Sequence, residues 1–419
     1  MERKLLSRKR GKLEYVDGYV LVAALILSAI GILMVFSITG VSMFNNPLGD
    51  AMSFVTRSIA GTLAGLLIMF VIVLLPNGMF RRKMGFPILL LTIAFFVLTP
   101  IIGEGTYHLP EIRRWLAIGG FRFQSVDVSR IGFILSMAWI TQLLVNKRMY
   151  YTNKIWSPHL IPLGYTFFCA LTVLMQPDLG SGAVILGMGT IMFLSSGISK
   201  KQITPLVLIA VTSIALIGFL GIYVLNLPIY QMDRIQVWQD PFDHPRGLQT
   251  VMGYIAIALG GLFGVGLGQS TQALGFSIEP HTDLIITILA EELGLVAVLG
   301  VMVLYFLIAV RCFLTALKAR EVFPALVCIG CGAFFLIQPL INLGGSSGFI
   351  PLSGVTLPLI SYGMTSQISI FIMLGIYFNM RRYILVSEER NQKNKKEEEK
   401  RAVAENHDGK ILHFPQKAH

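Results

Sequence analysis

Residues 283–310 read DLIITILAEELGLVAVLGVMVLYFLIAV, and this pattern decides the fold. Three acids, Asp283, Glu291 and Glu292, lie in the first ten positions, and the rest of the stretch carries no charge. A helix needs about 20 predominantly apolar residues to cross the hydrocarbon core of a bilayer. The stretch is therefore predicted to be a transmembrane helix with an acid at one membrane boundary and two acids inside the apolar region.

The composition of the whole chain agrees with a membrane location. Of its 419 residues, 54% are apolar and only 14% are charged, whereas about 25% are charged in a typical soluble protein. Further apolar runs of the required length occupy residues 18–39, 58–75, 85–103, 130–145, 159–176, 180–197, 203–227, 323–343 and 357–380. The sequence thus predicts an all-α integral membrane protein with about ten transmembrane helices, the first of them retained in the mature chain.

Basic residues alternate along the chain in a way that predicts its orientation. They cluster in residues 3–12, 81–83, 147–148, 200–201, 311–320 and 381–382, and they account for the net charge of +11. Ten alternating helices place all of these clusters on one side, which the positive-inside rule identifies as the cytoplasm. We therefore predict a basic cytoplasmic segment over residues 1–16, a membrane domain over 17–382, and a charged, disordered cytoplasmic tail over 383–419.

Two predicted outer loops, residues 104–129 and 228–282, break this pattern with arginine. Six arginines lie in these loops or at their ends: Arg113, Arg114, Arg122, Arg130, Arg234 and Arg246. Guanidinium groups bind phosphate and carboxylate in a bidentate manner and lose water more readily than lysine does. The arginines favour a site for an anionic ligand, while the alternative is contact with lipid headgroups or with the nearby acids Glu111, Asp127, Asp240 and Asp243.

The second outer loop contains an apolar, glycine-rich stretch at residues 249–268. Counting this stretch as an eleventh span would move every later basic cluster to the outside. We therefore predict a re-entrant or surface-lying element that is buried against protein. Gly260, Gly264 and Gly268 recur every four residues, a spacing that lets another helix approach closely.

The acids of the opening stretch differ in depth. Glu291 lies about 12 Å deeper than Asp283 at 1.5 Å per residue, and a charged residue at a helix centre costs about 3 kcal/mol. Glu291 and Glu292 are therefore predicted to be structural or relay residues that bond to neighbouring helices. Asp283 is a candidate general base, with a helix N-cap as the alternative. Asp178 is a further acid in a predicted outer turn.

Five motifs, in order, resemble those of the SEDS family of bacterial cell-envelope polymerases, which includes FtsW, RodA and SpoVE. They are RRWLAIGGFRFQ at 113–124, QPDLGSG at 176–182, GGLFGVGLGQSTQ at 260–272, EPHTD with EELG at 279–294, and IPLSGVTLPLISYG at 350–363. The resemblance covers residues 16–382. The chain departs from the family at Ser125, Val126 and Asp127, where Pro-Ser-Glu is usual, and at Met364 and Thr365, where Gly-Ser is usual.

The resemblance implies a peptidoglycan glycosyltransferase, a hexosyltransferase of the bacterial cytoplasmic membrane that acts in cell division or elongation. Its substrate would be lipid II, a disaccharide-peptide on undecaprenyl pyrophosphate, polymerised into glycan strands on the outer face. Asp283 would be the catalytic base. The implied substrate-binding residues are Arg113, Arg114, Trp115, Gln124, Arg130, Asp178, Arg234, Gln249, Gln272, His281 and Ser361, and the implied structural or relay residues are Glu291, Glu292, Gly264 and Gly268.

The resemblance also implies partner proteins, and it leaves alternative functions open. A class B penicillin-binding protein with transpeptidase activity and other division or elongation proteins are the expected partners, and no nucleic acid is expected. The motifs lean toward the FtsW-like division type. No Walker-type loop or zinc motif occurs, and dependence on a divalent cation stays open. The alternative functions are a lipid II flippase or transporter, which needs ligand-holding groups on both faces, and a non-catalytic scaffold of the division or elongation machinery.

Overall fold

The computed structural model describes residues 11–42, 48–76, 79–80, 84–105, 113–119, 121–147, 158, 160–197, 229–272 and 282–411. The helices of its first half are α1 Gly18–Ser42, α2 Leu48–Leu74, α3 Gly85–Ile102, α4 Ser125–Asn146, α5 Leu160–Leu174 and α6 Leu179–Leu194. They are followed by α7 Ile229–Gln239, α8 Leu248–Gly260, α9 Ile285–Ala316, α10 Val322–Ser346 and α11 Met364–Ile411. A 3-10 turn, Lys12–Tyr15, precedes α1.

Seven helices in the described part of the chain are long and apolar enough to cross a membrane. They are α1, α2, α3, α4, α9, α10 and the first part of α11. Three further apolar helices, α5, α6 and α8, are shorter. This confirms a mostly helical membrane protein. The predicted span at 203–227 lies outside the described residues.

A small β-hairpin between α3 and α4 is a departure from the all-α prediction. Strands β1 Trp115–Ile118 and β2 Phe121–Gln124 pair in antiparallel fashion, with Trp115 opposite Gln124. Gly119 at the turn has φ +58°, a conformation that tight hairpin turns require. The Glu104 N–H donates to the Trp115 carbonyl over 2.7 Å, which ties the hairpin to the end of α3. We call this end of the helix bundle the hairpin end.

Helix α9 is broken at Gly294, which has φ +80° and ψ 176°. The glycine-rich residues after α8 fill the break. Four backbone hydrogen bonds of 2.9 to 3.2 Å join the two segments, with Val265, Gly266, Leu295 and Val296 as donors and Glu291, Glu292, Gly261 and Leu262 as acceptors. A backbone in lipid must find such internal partners, because no water is present to replace them. Residues 261–266 therefore pair with the backbone of α9 on both sides of Gly294, but residues 261–263 and 265–269 are exposed, whereas the sequence predicts an element buried against protein.

The predicted last span, 357–380, begins too early. Helix α11 starts at Met364, and residues 347–363, called here the 347–363 segment, are irregular apart from tight turns. Gly354 at φ +70° and Leu359 at φ +65° adopt left-handed conformations that a helix does not contain. Pro351 and Pro358 each lack a backbone N–H, and proline disfavours helix in the residue before it.

The charged tail also differs from the sequence-based expectation of disorder. Helix α11 continues through the tail to Ile411. Glu389, Lys393 and Glu397 are spaced four residues apart, and opposite charges at this spacing stabilise an exposed helix. The Tyr15 hydroxyl donates to the Glu389 carboxylate over 3.1 Å, so the extension also contacts the start of the chain.

At the end opposite the hairpin, α11 caps α2. The Asn379 side-chain amide donates to the Ile72 and Leu75 carbonyls over 2.9 and 3.0 Å. Arg382 donates to the carbonyls of Val73 and Leu75. The last carbonyls of a helix have no partner within it, so these two side chains satisfy the end of α2 and fix its position against α11.

Candidate active site at the hairpin end of the bundle

Asp283 lies half-buried in the short stretch that leads into α9. The N-cap residue of α9 is Leu284, whose side chain makes no capping hydrogen bond, so Asp283 is the residue before the N-cap. The Asn342 amide on α10 donates to the Asp283 carbonyl over 2.8 Å. The Ser361 hydroxyl donates to the neighbouring Thr282 carbonyl over 2.6 Å. The backbone on both sides of the Asp283 side chain is therefore held by buried polar groups.

The 347–363 segment provides half of this support, and α10 in turn holds the segment. The Asn342 amide donates a second bond to the Val355 carbonyl over 2.6 Å, and the Gln338 amide donates to the Thr356 carbonyl over 2.8 Å. Ser361 Oγ accepts from the Leu357 N–H over 2.8 Å. Asn342 thus connects the last motif of the sequence directly to Asp283.

The same segment is fixed from two other sides. Arg234 on α7 donates to the Leu352 carbonyl over 2.7 Å, and the Trp238 indole N–H donates to the Gly348 carbonyl over 2.8 Å. Gly31 on α1 packs so closely that a Cβ there would lie 2.6 Å from the Leu359 carbonyl oxygen. Irregular backbone within a membrane protein is tolerated where it is buried in protein in this way.

A buried charged cluster lies below the hairpin, where α4 meets α6. Arg130 pairs with Asp127 over 3.2 Å and donates to the Ser181 hydroxyl over 3.2 Å. Asp178 is the N-cap of α6 and accepts from the Ser181 N–H over 3.0 Å. Arg130 and Asp178 are both predicted to bind the ligand. They are only 3% and 1% exposed, and their contacts are with other groups in the protein interior.

Several polar atoms of this region have no hydrogen-bond partner among the described residues. They are Arg130 Nε, Asp178 Oδ2, Gln176 Nε2 and Oε1, Gln338 Oε1 and Asn342 Oδ1. Most buried polar groups in folded proteins are hydrogen-bonded, and clustered exceptions occur at functional sites. The exceptions here surround the α5–α6 turn and the part of α10 that supports Asp283.

The outer arginines divide into two groups. Three pair with carboxylates: Arg130 with Asp127, Arg122 with Glu104 over 3.7 Å, and Arg246 with Asp233. Of the acids expected as partners, only Asp127 takes this role among the described residues, and Glu111 lies outside them.

The second group donates to neutral backbone carbonyls. Arg113 is exposed and donates to the Ile101 carbonyl. Arg114 is half-buried and donates to the carbonyls of Gln176 and Pro177 in the α5–α6 turn. A carbonyl carries no net charge, so these contacts position the guanidinium groups without neutralising them. Each guanidinium has five N–H donors, and the contacts to described residues use one donor of Arg113 and two of Arg114.

The remaining predicted binding residues are spread along the hairpin end. Trp115 lies under the Arg122 guanidinium, 5.4 Å from its ring centre. Gln124 is the half-buried residue before α4, and Gln249 lies in the first turn of α8. Gln272 donates through its side chain to the Thr271 hydroxyl over 3.3 Å. His281 lies outside the described residues.

Glu291 and Glu292 are both buried and both hold the glycine-rich loop. Glu291 accepts from the Ser270 hydroxyl over 2.5 Å and from the Thr271 N–H over 2.9 Å. Glu292 accepts from the Ser37 hydroxyl on α1 over 2.7 Å. The Gly268 N–H donates to the same Ser37 oxygen over 3.0 Å, and a Cβ at Gly264 would overlap the Glu292 carbonyl. The two acids thus anchor the element that fills the break in α9.

Asn342, Gln338 and Ser37 are functional neighbours that the sequence reasoning missed. Each is one of a few polar residues in a long apolar run, and this is the signal by which a sequence indicates it. Among the described residues, no group of three or more His, Cys, Asp or Glu side chains is arranged to hold a metal ion.

Comparison with known proteins gives the same family as the motifs. Residues 18–384 match the model of the FtsW, RodA and SpoVE family, described as "Cell cycle protein". The "Probable peptidoglycan glycosyltransferase FtsW" of Bacillus subtilis (strain 168) is 32% identical over 387 residues, which cover 90% of this chain and 93% of the relative. "Stage V sporulation protein E" of the same organism is 31% identical over 371 residues, covering 88% and 97%.

Solved structures share the fold. A chain in the structure of a peptidoglycan synthase complex superposes with a TM-score of 0.68 at 24% identity, over 88% of this chain and 98% of that one. The rod shape determining protein RodA of Thermus thermophilus superposes with a TM-score of 0.60 at 22% identity, over 88% and 97%. With the match of the family model over most of its length, the chain belongs to the FtsW/RodA/SpoVE family of cell cycle proteins.

Proposed function

We propose that the protein is a peptidoglycan glycosyltransferase that polymerises lipid II into glycan strands on the outer face of the bacterial cytoplasmic membrane. Its relatives include peptidoglycan glycosyltransferases named FtsW. The observation that carries the proposal is the support around Asp283, where Asn342 and Ser361 fix the backbone on either side of a half-buried carboxylate. A positioned acid at the water boundary is what a general base requires.

The proposed topology has ten transmembrane helices with both termini in the cytoplasm. Arg311 lies near the far end of α9, Lys318 and Arg320 follow that end, and Arg381 and Arg382 lie on α11 at the same end. Basic residues at this end and arginines held by carbonyls at the hairpin end agree with an outward-facing hairpin. Residues 203–227 supply the seventh span in this topology.

The proposed reaction joins two sugars. An acceptor hydroxyl oxygen attacks the anomeric carbon of the donor, the new glycosidic C–O bond forms, and the bond from that carbon to the pyrophosphate oxygen breaks. Asp283 takes the hydroxyl proton, and the polyprenyl pyrophosphate leaves with the bonding electron pair. A base in this position typically contributes about 100-fold to 10,000-fold in rate.

Arg113 and Arg114 are the proposed contacts for the pyrophosphate. Among the described residues both guanidinium groups contact only neutral carbonyls, Arg113 at the end of α3 and Arg114 at the α5–α6 turn, and guanidinium binds phosphate oxygens in a bidentate manner. Arg130 and Asp178 are instead assigned a structural role beneath the ligand. Arg130 already pairs with Asp127, and Asp178 already accepts a hydrogen bond from the Ser181 N–H in the protein interior.

A class B penicillin-binding protein is the proposed partner. The complex that shares this fold coordinates polymerization and crosslinking, and a polymerase of glycan strands needs a transpeptidase to crosslink its product. The likeness to FtsW and to the stage V sporulation protein favours a role in division over one in elongation. Localisation of a tagged copy to the septum tests this assignment, and an even distribution along the side wall contradicts it.

Polymerisation of fluorescent lipid II by the purified protein with its partner tests the proposed base. We expect Asp283→Asn to lose at least about 100-fold in rate while it still binds the partner. Asp240→Asn is the matched control, because Asp240 is an exposed acid at the same end of the bundle whose side chain, among the described residues, accepts from the Asp243 N–H alone. Full activity of Asp283→Asn removes the residue from the base role. The same assay in a chelator, with and without added Mg²⁺, measures any contribution of a divalent cation.

A further inference from the structure

A cavity of about 580 Å³ lies at the end of the bundle opposite Asp283, between the start of α1 and the second half of α9. One part of its lining is charged and consists of Asp17, Arg311 and Arg381. The other part is apolar and consists mainly of Val22, Ile26, Leu304 and Leu307. No step of the proposed glycosyl transfer uses this cavity, because Arg311 lies 28 residues beyond Asp283 in the sequence, about 40 Å along the helix.

The charged part contains two arginines and a single acid. Asp17 Oδ2 accepts from Arg311 Nε and Nη2 over 2.9 and 2.7 Å, and it lies 3.4 Å from Arg381 Nε. The Asp17 side chain is 1% exposed, whereas the Arg311 side chain is 33% exposed. The three groups sum to a charge of +1, and the acid lies behind the cations. The cavity therefore presents guanidinium N–H groups and a net positive charge at its opening.

The apolar part extends from this charged end into the membrane region. Val22 and Ile26 lie one turn apart on α1 and face outward, at 54% and 42% exposure. Ile26 is nine residues beyond Asp17, which corresponds to about 13 Å along the helix. Tyr19 stands beside the opening, with the Arg311 guanidinium 5.0 Å above its ring. Tyrosine and arginine with apolar stems are typical of the membrane interface.

We propose that this cavity binds an anionic phospholipid, with its phosphate at Arg311 and Arg381 and one acyl chain in the slot between α1 and α9. A phosphate supplies the negative charge that balances the cluster, and it accepts bidentate hydrogen bonds from guanidinium. A free phosphate ion would leave the apolar slot unfilled, and a lipid without net charge would leave the positive charge unbalanced. In the proposed orientation the lipid belongs to the cytoplasmic leaflet, but the site itself depends on neither that orientation nor the glycosyltransferase activity.

Native mass spectrometry of the full-length protein in detergent tests the site, with phosphatidylglycerol and phosphatidylcholine of identical acyl chains. We expect the wild-type protein to retain phosphatidylglycerol at least about tenfold more strongly, since the choline cation of phosphatidylcholine cancels the phosphate charge that the cluster attracts. Arg311→Gln should remove this preference. Val22→Trp should also reduce retention, because the larger ring fills the slot while leaving every ion pair of the cluster intact.

Leu33→Trp is the matched control, since Leu33 is an exposed residue of α1 at 42% that lies beyond the cavity. It should bind as the wild type does. If Arg311→Gln fails to give a single folded species, Val22→Trp carries the test alone. Equal retention of the two lipids by the wild type, unchanged retention of phosphatidylglycerol by Val22→Trp, or displacement of the lipid by millimolar inorganic phosphate each overturns the proposal.

Discussion

Asn342 and Asn379 make similar contacts at opposite ends of the bundle. Each is a buried amide that donates to two backbone carbonyls, at 2.8 and 2.6 Å for Asn342 and at 2.9 and 3.0 Å for Asn379. Each also has an Oδ1 atom with no hydrogen-bond partner among the described residues. Only Asn342 contacts Asp283. Comparing variants of the two asparagines therefore separates the stability that is lost with a buried amide from the activity that is lost when the candidate base is no longer held in place.

We expect Asn342→Leu and Asn379→Leu each to lower the free energy of unfolding by about 1–3 kcal/mol, because each removes two buried hydrogen bonds to backbone carbonyls. Only Asn342→Leu should also lose polymerisation, through a lower kcat at nearly unchanged KM, since the Asp283 backbone is no longer held. Thermal unfolding and lipid II polymerisation at a temperature where both variants are folded measure the two effects. Equal kcat values in the two variants would show that Asn342 does not position the base.

The arginines at the hairpin end provide a second residue-scale prediction. Arg113→Gln should raise the KM for lipid II by about tenfold or more, since a charge-assisted contact to phosphate is worth about 1.5–3 kcal/mol. Arg122→Gln is the control, because Arg122 is already paired with Glu104 and lies over Trp115. Its KM should change little. A KM for Arg113→Gln that is unchanged and insensitive to salt would place the pyrophosphate elsewhere.

At the scale of elements, the break in α9 couples the candidate base to the glycine-rich loop. Asp283 lies just before the first part of α9, and Glu291 and Glu292 lie at the end of that part, where they bind residues 268–272 and Ser37. Residues 261–266 complete the broken backbone. The short helical part is thereby fixed against two other elements rather than by continuity with the rest of α9.

Gly294→Ala should therefore be severely destabilising, whereas Gly300→Ala in the same helix should not. Gly294 has φ +80°, and a Cβ there would meet the backbone of Leu262 and Gly264. Strain at such a position costs about 1–3 kcal/mol. Gly300 has nothing within 4 Å of an added Cβ, so alanine there should be neutral or stabilising by up to about 1 kcal/mol. Thermal unfolding in one detergent compares the two, and equal midpoints would show that the break is not required.

At the scale of the whole molecule, the sequence predicts the bounds of helices whose length is set by the bilayer. It does not predict features that depend on contacts between residues far apart in the chain. Helix α3 is predicted at 85–103 and found at Gly85–Ile102, because the apolar length of a span is set by the bilayer. The break at Gly294 is not predicted, since a glycine in an apolar run looks helical and its partners lie about 30 residues earlier. Asp283 is located by the sequence, but its support from Asn342 comes from a contact across 59 residues.

The proposed ten-span topology includes a membrane span between α6 and α7. Helix α6 starts at the hairpin end with Asp178 and runs about 24 Å to Leu194, whereas α7 is back at the hairpin end through its contacts to the 347–363 segment. The chain between them must therefore connect the two ends of the bundle. A span at 203–227 makes this connection and keeps both termini on one side.

Single-cysteine reporters test this topology in intact cells. The four native cysteines are all buried, so they should not react with a membrane-impermeant maleimide. Ala117→Cys in β1 and Asp240→Cys after α7 are exposed and should both be labelled from outside, because the proposed topology places them on one face. Val386→Cys on α11, 41% exposed, should be labelled only after the cells are opened. Labelling of Val386→Cys in intact cells would reverse the orientation, and opposite results for Ala117→Cys and Asp240→Cys would contradict the seventh span.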